Sequence, residues 1–322
     1  MTVAPRDPTL FSAQDFAFAE NDAAFVTSVL GRTLANGGGD TFYNLGASGG
    51  PDARGWIDVE GSVQHTATRA VAPGSRATSG GVEAGADVDV APGGRIGAAL
   101  AYESVDFSDA DASRANQSAL MLSLYGSQTL GNVGFSVALS YANGWDDTDR
   151  ASGFGFSAAS RRTSELAAGF QAATALETGG VTLTPAVGVL IAQQTGTAFT
   201  EINELAPAFA VSGAPQRASF FSPYATLGFS HAHTDASGLT VTPDLQLGYR
   251  YDAAAVGERV ALVASDGTVF AGNQIGLGRS SAVLGAGVTV HRGVWTAFVR
   301  YQASAAGDWS WQSLEGGVRL AF

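Results

Sequence analysis

From Gly55 to the end of the chain, polar and apolar residues alternate. In "WIDVEGSVQ", Ile57, Val59 and Val63 fall on one face, and Asp58, Glu60, Ser62 and Gln64 on the other. In "GVEAGADVDV", Val82, Ala84, Ala86, Val88 and Val90 oppose Glu83, Gly85, Asp87 and Asp89. A period of two residues is that of a strand whose faces meet different media. About twelve such segments follow one another, and no long segment after Gly55 has a helical period. The last, "SLEGGVRLAF", keeps Leu314, Val318, Leu320 and Phe322 in step to the final residue. The class read from this pattern is all-β.

The connections sort the strands. "APGG" (Ala91 to Gly94), "TLGN" (Thr129 to Asn132), "ETGG" (Glu177 to Gly180), "TDASG" (Thr234 to Gly238) and "HRG" (His291 to Gly293) read as tight hairpins. Longer links are expected near residues 67–79, 106–116, 145–163, 195–217 and 252–276, with a short one around Gly307. Alternation of tight and long connections in an up-and-down meander places the tight turns at one end and the long loops at the other. That is the anatomy of a membrane barrel. The outward face is then Leu120, Leu122, Leu124, Phe135, Val137 and Leu139. The opposite face carries Asp58, Glu60, Glu83, Asp87, Glu165, Asp244, Arg250, Arg300, Glu315 and Arg319. Charges packed unpaired in a dry core cost several kcal/mol each, whereas a wet lumen accepts them. Trp56, Tyr102, Tyr125, Tyr141, Tyr249, Tyr251 and Trp295 are expected near strand ends as an aromatic girdle.

Composition agrees. Hydrophobic residues make 45% of the chain and charged residues 14%, against roughly 25% charged in soluble domains. Yet no apolar run approaches the ~18 residues of a spanning helix. A net charge of −12 argues against nucleic acid as a partner, and the absence of cysteine removes disulfides and thiolate metal sites. The start, "MTVAPRDPTL", lacks the basic end and apolar run of a signal peptide.

Residues 12–36 read differently. Phe25, Val26, Val29, Leu30 and Leu34 recur at helical spacing, with Gly37, Gly38 and Gly39 as a stop and Ser12 or Asn21 as candidate caps. The helix is expected to run about 16 residues from Glu20, ~24 Å, and to pass through the lumen before the first strand; the alternative is a helix packed outside the pore or a frayed tail.

A barrel of twelve strands, entered by a helix and closed on phenylalanine, resembles the translocator domain of bacterial autotransporters. "GWIDVEGS" resembles the family's opening strand, "GGVEAGADVDVAPGGRIGAALAYESVDFS" its next hairpin and "EGGVRLAF" its closing strand. "LTPAVGVLIAQQTGTAFTE" resembles a family strand with Pro185 and a loop ending in Phe199-Thr200-Glu201, and "ENDAAFVTSVLGRTL" its linker. The resemblance implies outer-membrane insertion by the barrel-assembly machinery and export of an upstream passenger. It also implies an assembly signal in the last strand at Val318, Leu320 and Phe322. Residues 1–54 are then the passenger end and linker, and 55–322 the barrel. The implied location is the bacterial outer membrane, with long loops outside and both ends of the barrel segment periplasmic. A monomer is expected, in contact with outer-membrane lipid.

Some members of that family cut their linker at an Asn-Asn pair. Here Asn21 is followed by Asp22, which marks the only place such processing is expected and also breaks the pair. His231 and His233 share a strand face but lack a visible third ligand, so no metal is expected, nor any cofactor. Serines are plentiful, but none is singled out as the nucleophile of a membrane phospholipase. Asp109, Asp111, Asp146, Asp147 and Asp149 read as solvated loop carboxylates rather than a calcium site. No enzyme is expected. Two rival readings are a twelve-strand pore and an adhesion barrel acting through its loops.

Overall fold

A computed structural model describes residues 9–34, 53–69, 72–152, 154–253, 261–271 and 279–322. Alternation becomes twelve antiparallel strands: β1 (Ala53–Thr66), β2 (Ser75–Ala91), β3 (Gly94–Asp109), β4 (Arg114–Leu130), β5 (Val133–Ala151) and β6 (Phe156–Thr174). They continue as β7 (Val181–Gly196), β8 (Gln216–Ser230), β9 (Thr240–Tyr251), β10 (Ser280–Arg292), β11 (Trp295–Ala306) and β12 (Trp309–Ala321). Each pairs with the next, and β12 pairs back onto β1 from Arg54↔Ala321 to Thr66↔Trp309. The sheet is a closed barrel without a free edge.

The tight turns lie at one end. Gly93 (φ 70°) and Gly131 (φ 61°) take the left-handed backbone that two of them require. At another, the Asp235 carboxylate accepts bonds from Ser237 Oγ (2.7 Å) and the Leu239 amide (3.0 Å). These bonds hold its carboxyl below the usual range.

At the other end the links expected over 106–116 and 145–163 are mostly strand. β3 joins β4 through residues 110–113, and β5 joins β6 through 152–155. The cause lies on the outer face. Up β4 from the turn, Leu124, Leu122 and Leu120 are exposed, then Asn116 and Arg114. Up β5 come Val137, Leu139 and Tyr141, then Asp147 and Asp149. Cross-strand register aligns this change of character into one row: Tyr102↔Leu120↔Asn143↔Ser164. Above it the outer face is polar but for Trp145 and Phe156, and the inner face mixes Val105 and Phe107 with Gln117 and Asp146, so alternation fades from the sequence while the strands continue. Below it lie about eight residues of strand per side, ~20 Å high at the usual rise and tilt, close to the ~25 Å apolar band of such barrels.

The girdle needs one correction. Tyr102, Tyr141, Tyr249, Tyr251 and Trp295 face outward, but Trp56 and Tyr125 are buried inside, with Trp56 Nε1 donating to Tyr125 Oη at 3.0 Å. Parity requires it, since Trp56 is in step with Asp58, and Tyr125 out of step with Leu124.

The long links at 197–215 and 252–279 supply a small sheet of Phe199–Thr200, Val211–Gly213, Ala261–Ala264 and Val269–Ala271. It packs Phe199, Val211 and Leu262 over the barrel mouth at the loop end.

No helix among the described residues is long and apolar enough to cross a membrane. The single α-helix described, α1 (Leu10–Leu34), has 25 residues and lies inside the barrel, ~37 Å long at 1.5 Å per residue. It starts well before Glu20, and Ser12 and Asn21 are buried helical residues rather than caps. An enclosed helix needs no thin apolar stripe, so Phe11, Phe16 and Phe18 are buried beside Asp15, Glu20 and Asp22. Gly37 to Gly39 lie outside the described residues.

Candidate functional site

The candidate site is the lumen and the helix that occupies it. Phe11 at the helix start sits under the loop-end sheet, its ring centroid 4.2 Å from that of Phe199. Arg32 near the other end reaches Asp58 and Glu315, about midway along β1 and β12, and Leu30 lies against Gly169 towards the tight-turn end of β6. The helix therefore runs the height of the barrel, with its N-terminus at the loop end.

Polar rungs hold it along that height. Arg161 Nη2 donates to Asp15 at 2.6 Å, and Gln194 donates to the Asp15 carbonyl at 3.0 Å. Arg250 bonds Glu20 at 2.7 Å, and Ser140 donates to Asp22 at 3.0 Å. Ser28 donates to Glu83 at 3.1 Å. Arg32 meets Asp58, Glu315 at 3.0 Å and Glu83 at 3.8 Å, its guanidinium 3.9 Å above the Trp56 ring. A planar cation that bonds at its edge and stacks on its face suits a ring of carboxylates beside an indole. The chain has no lysine, so all 17 of its cationic side chains are arginines.

Apolar packing completes the seat on one side. Phe18, Phe25, Val26, Val29 and Leu30 pack with Ala119, Met121, Ala138, Ala142 and Ala167. Small wall residues let the helix approach closely: a Cβ on Gly169 would lie 2.6 Å from Leu30. The opposite helix face, Ala23, Ala24 and Thr27, is only half-buried and borders a crevice of about 90 Å³ against Thr226, Gln246 and Gln302.

Of the charged residues singled out in the sequence, Asp58, Glu83 and Glu315 converge on Arg32. Glu60 is half-buried opposite Glu315 in register, and Arg300 lies 3.9 Å from Glu315. Glu165 is buried beside Asp22. Asp87 instead joins Arg54 (3.1 Å) and Arg95 (3.2 Å) near the tight turns. Asp244 is half-buried across from Gly287, and Arg319 is buried in β12. Phe322 is exposed; its amide donates to the Ala53 carbonyl at 3.1 Å, and its ring covers Gly55. Val318 is exposed and Leu320 half-buried. His231 Nδ1 contacts the Gly180 carbonyl at 2.7 Å, which ties two turns together.

Sequence reasoning turned Arg250 and Arg300 inward but missed Arg32, Arg54, Arg95 and Arg161. Arg161 is in step with Glu165 along β6, so parity alone places both inside. Arg32 had no such signal. The Phe-x-Glu stretch acquires a physical role: Phe199 stacks on Phe11, while Glu201 takes Arg150 at 2.6 and 2.7 Å, both side chains fully buried.

A closed twelve-strand barrel around an N-terminal helix is the decisive combination, and the family called autotransporter beta-domain matches residues 55–302. The chain belongs to the autotransporter β-domain family. Its fold is that of an outer-membrane translocator, and translocator domains of this family are not enzymes. Among solved structures it is similar to the translocator domain of the autotransporter NalP from Neisseria meningitidis. The TM-score is 0.79 at 16% identity, over 98% of this chain and 99% of that one. The β-domain of the Bordetella autotransporter BrkA gives a TM-score of 0.64 at 18% identity, over 84% of this chain and 100% of that one. The transport unit of AIDA-I from Escherichia coli gives 0.52 at 12% identity, over 83% and 90%. No curated protein sequence matches the chain.

Proposed function

We propose that residues 55–322 insert into the bacterial outer membrane through the barrel-assembly machinery and enable export of a passenger that precedes residue 9. Residues 1–54 are then the passenger end and linker, the loop end is extracellular, and the protein works as a monomer in lipid. The observation that carries this reading is the helix threaded through the lumen with its N-terminus at the loop end. A chain laid along that path joins anything upstream to the outside.

Conductance of the purified chain in planar bilayers tests it. A plugged translocator gives low conductance that rises when residues 1–40 are deleted. A wide channel indifferent to that deletion would overturn the reading in favour of a pore. Retained ligand binding without any passenger would favour adhesion.

The last strand supplies the assembly signal in this reading. Deleting Phe322 is expected to lower membrane insertion in cells while leaving barrels refolded in detergent intact. The linker stays uncleaved: Asn21 and Asp22 lie mid-helix and buried, and Asn21→Ala is expected to leave processing of a full-length protein unchanged.

A further inference from the structure

The outer wall above the apolar band has no role in the lumen. Its register forms ordered rows. One step above Tyr102↔Leu120↔Asn143 come Ser104↔Ser118↔Trp145, paired on to Arg162. The next row is Thr78↔Asp106↔Asn116↔Asp147↔Ser160, and the next Arg76↔Ser108↔Arg114↔Asp149. The upper two rows floor a depression of about 690 Å³ on the outside of the barrel, walled on one side by Thr200 and Ile202.

Two features give this depression a chemistry. Arg76 and Arg114 flank Ser108 from either side, are exposed, and form no ion pair among the described residues. By contrast Arg32, Arg54, Arg95, Arg150, Arg161 and Arg250 are all paired. Below the two guanidiniums, Asp106 accepts from Asn116 (2.8 Å) and Asp147 from Ser160 (2.6 Å), which fixes both carboxylates and leaves further lone pairs facing out. Free guanidiniums above fixed carboxylates match a phosphate carried on a polyhydroxylated ring: the forks take the phosphate, and the carboxylates take hydroxyl donors.

Height decides between sources of such a group. Three steps of two residues, at ~3.3 Å per residue and ~40° tilt, put the arginine pair ~15 Å above the row of Tyr102 and Leu120 and ~10 Å above Trp145. Phospholipid headgroups extend only ~5–8 Å beyond the hydrocarbon on each side. A phosphorylated saccharide on an outer-leaflet glycolipid reaches the pair.

We propose that the outer wall of β2–β6 binds the phosphorylated saccharide headgroup of an outer-leaflet glycolipid through Arg76 and Arg114, with Asp106 and Asp147 taking sugar hydroxyls. This rests on the loop end being extracellular. The test uses the full chain in neutral detergent, titrated with rough lipopolysaccharide and followed by native mass spectrometry. Arg76→Ala with Arg114→Ala is expected to weaken binding by about tenfold or more, the effect of losing one charge-assisted contact or more, with heat-modifiable mobility confirming a folded barrel. Dephosphorylated lipopolysaccharide and phosphatidylglycerol are expected to bind the wild-type chain no better than the variant. Equal binding by the variant, or equal competition by phosphatidylglycerol or inorganic phosphate, would overturn the proposal. In parallel, a Ser265→Cys variant, in the exposed turn of the loop-end sheet, is labelled on intact cells with a membrane-impermeant maleimide. No labelling refutes the orientation itself. Labelling without saccharide binding refutes only the glycolipid site.

Discussion

The two faces of the barrel wall follow different rules along the same strands. On the outer face, character changes with height: apolar up to the row of Tyr102 and Leu120, and above it polar but for Trp145 and Phe156. On the inner face no such level exists, because what each residue meets is set by the helix. Gln117 and Asp146 face inward near the loop end, just as Asp58 and Glu83 do at mid-strand. The outer face reports the surrounding medium, and the inner face reports one enclosed solute.

Substitutions that cross these rules separate the two. The largest expected effect is inside. Arg32→Ala leaves Asp58 and Glu315 buried without this cation, a loss of ~3–5 kcal/mol for broken buried pairs. It is expected to appear as a rise in single-channel conductance while the barrel stays folded. Unchanged conductance would mean that the charges do not seat the helix.

Next comes the outer face below the boundary. Leu122→Arg puts a charge into the apolar band and is expected to cost ~2–4 kcal/mol in denaturant titration of the vesicle-inserted barrel. Asn116→Arg, on the same strand above the boundary, is expected to cost roughly nothing by the same measure. Equal costs would erase the boundary.

Tyr125→Phe deprives the buried Trp56 Nε1 of its acceptor and is expected to cost ~1–3 kcal/mol, read from the same titration. The smallest effect is Tyr102→Phe, which removes an exposed 3.2 Å bond to Ser118 at the boundary and is expected to shift stability by less than ~0.5 kcal/mol.

The same contrast explains what could be read from the chain. Alternation is visible only where the faces meet unlike media, so β3 to β6 were legible up to Tyr102, Leu120 and Tyr141. Beyond those residues the strands read as loops although their pairing continues to Asp109, Arg114 and Ala151. The order of strands, the closing Phe322 and the inward acids were legible because parity depends on no partner. The helix was half legible. Phe25 to Leu34 showed a period, but Leu10 to Ala19 did not, since a segment enclosed on all sides buries polar and aromatic residues alike. The partners of the inward acids needed three dimensions. Arg32, Trp56 and Glu315 are brought together by closure, which joins the first strand to the last.

That closure also orders events in time. The seam from Arg54↔Ala321 to Thr66↔Trp309 pairs the strand directly downstream of the helix with the strand made last. Until it zips, the sheet is an open gutter, and the helix can be laid into it sideways against the wall of β3 to β6. Once it has zipped, the same helix could arrive only end-on, dragging Asp15, Glu20 and Asp22 past the buried acids Asp58 and Glu83 that meet Arg32. Enclosure therefore makes the last backbone pairing a one-way step, and the barrel retains whatever lay in the gutter when it shut.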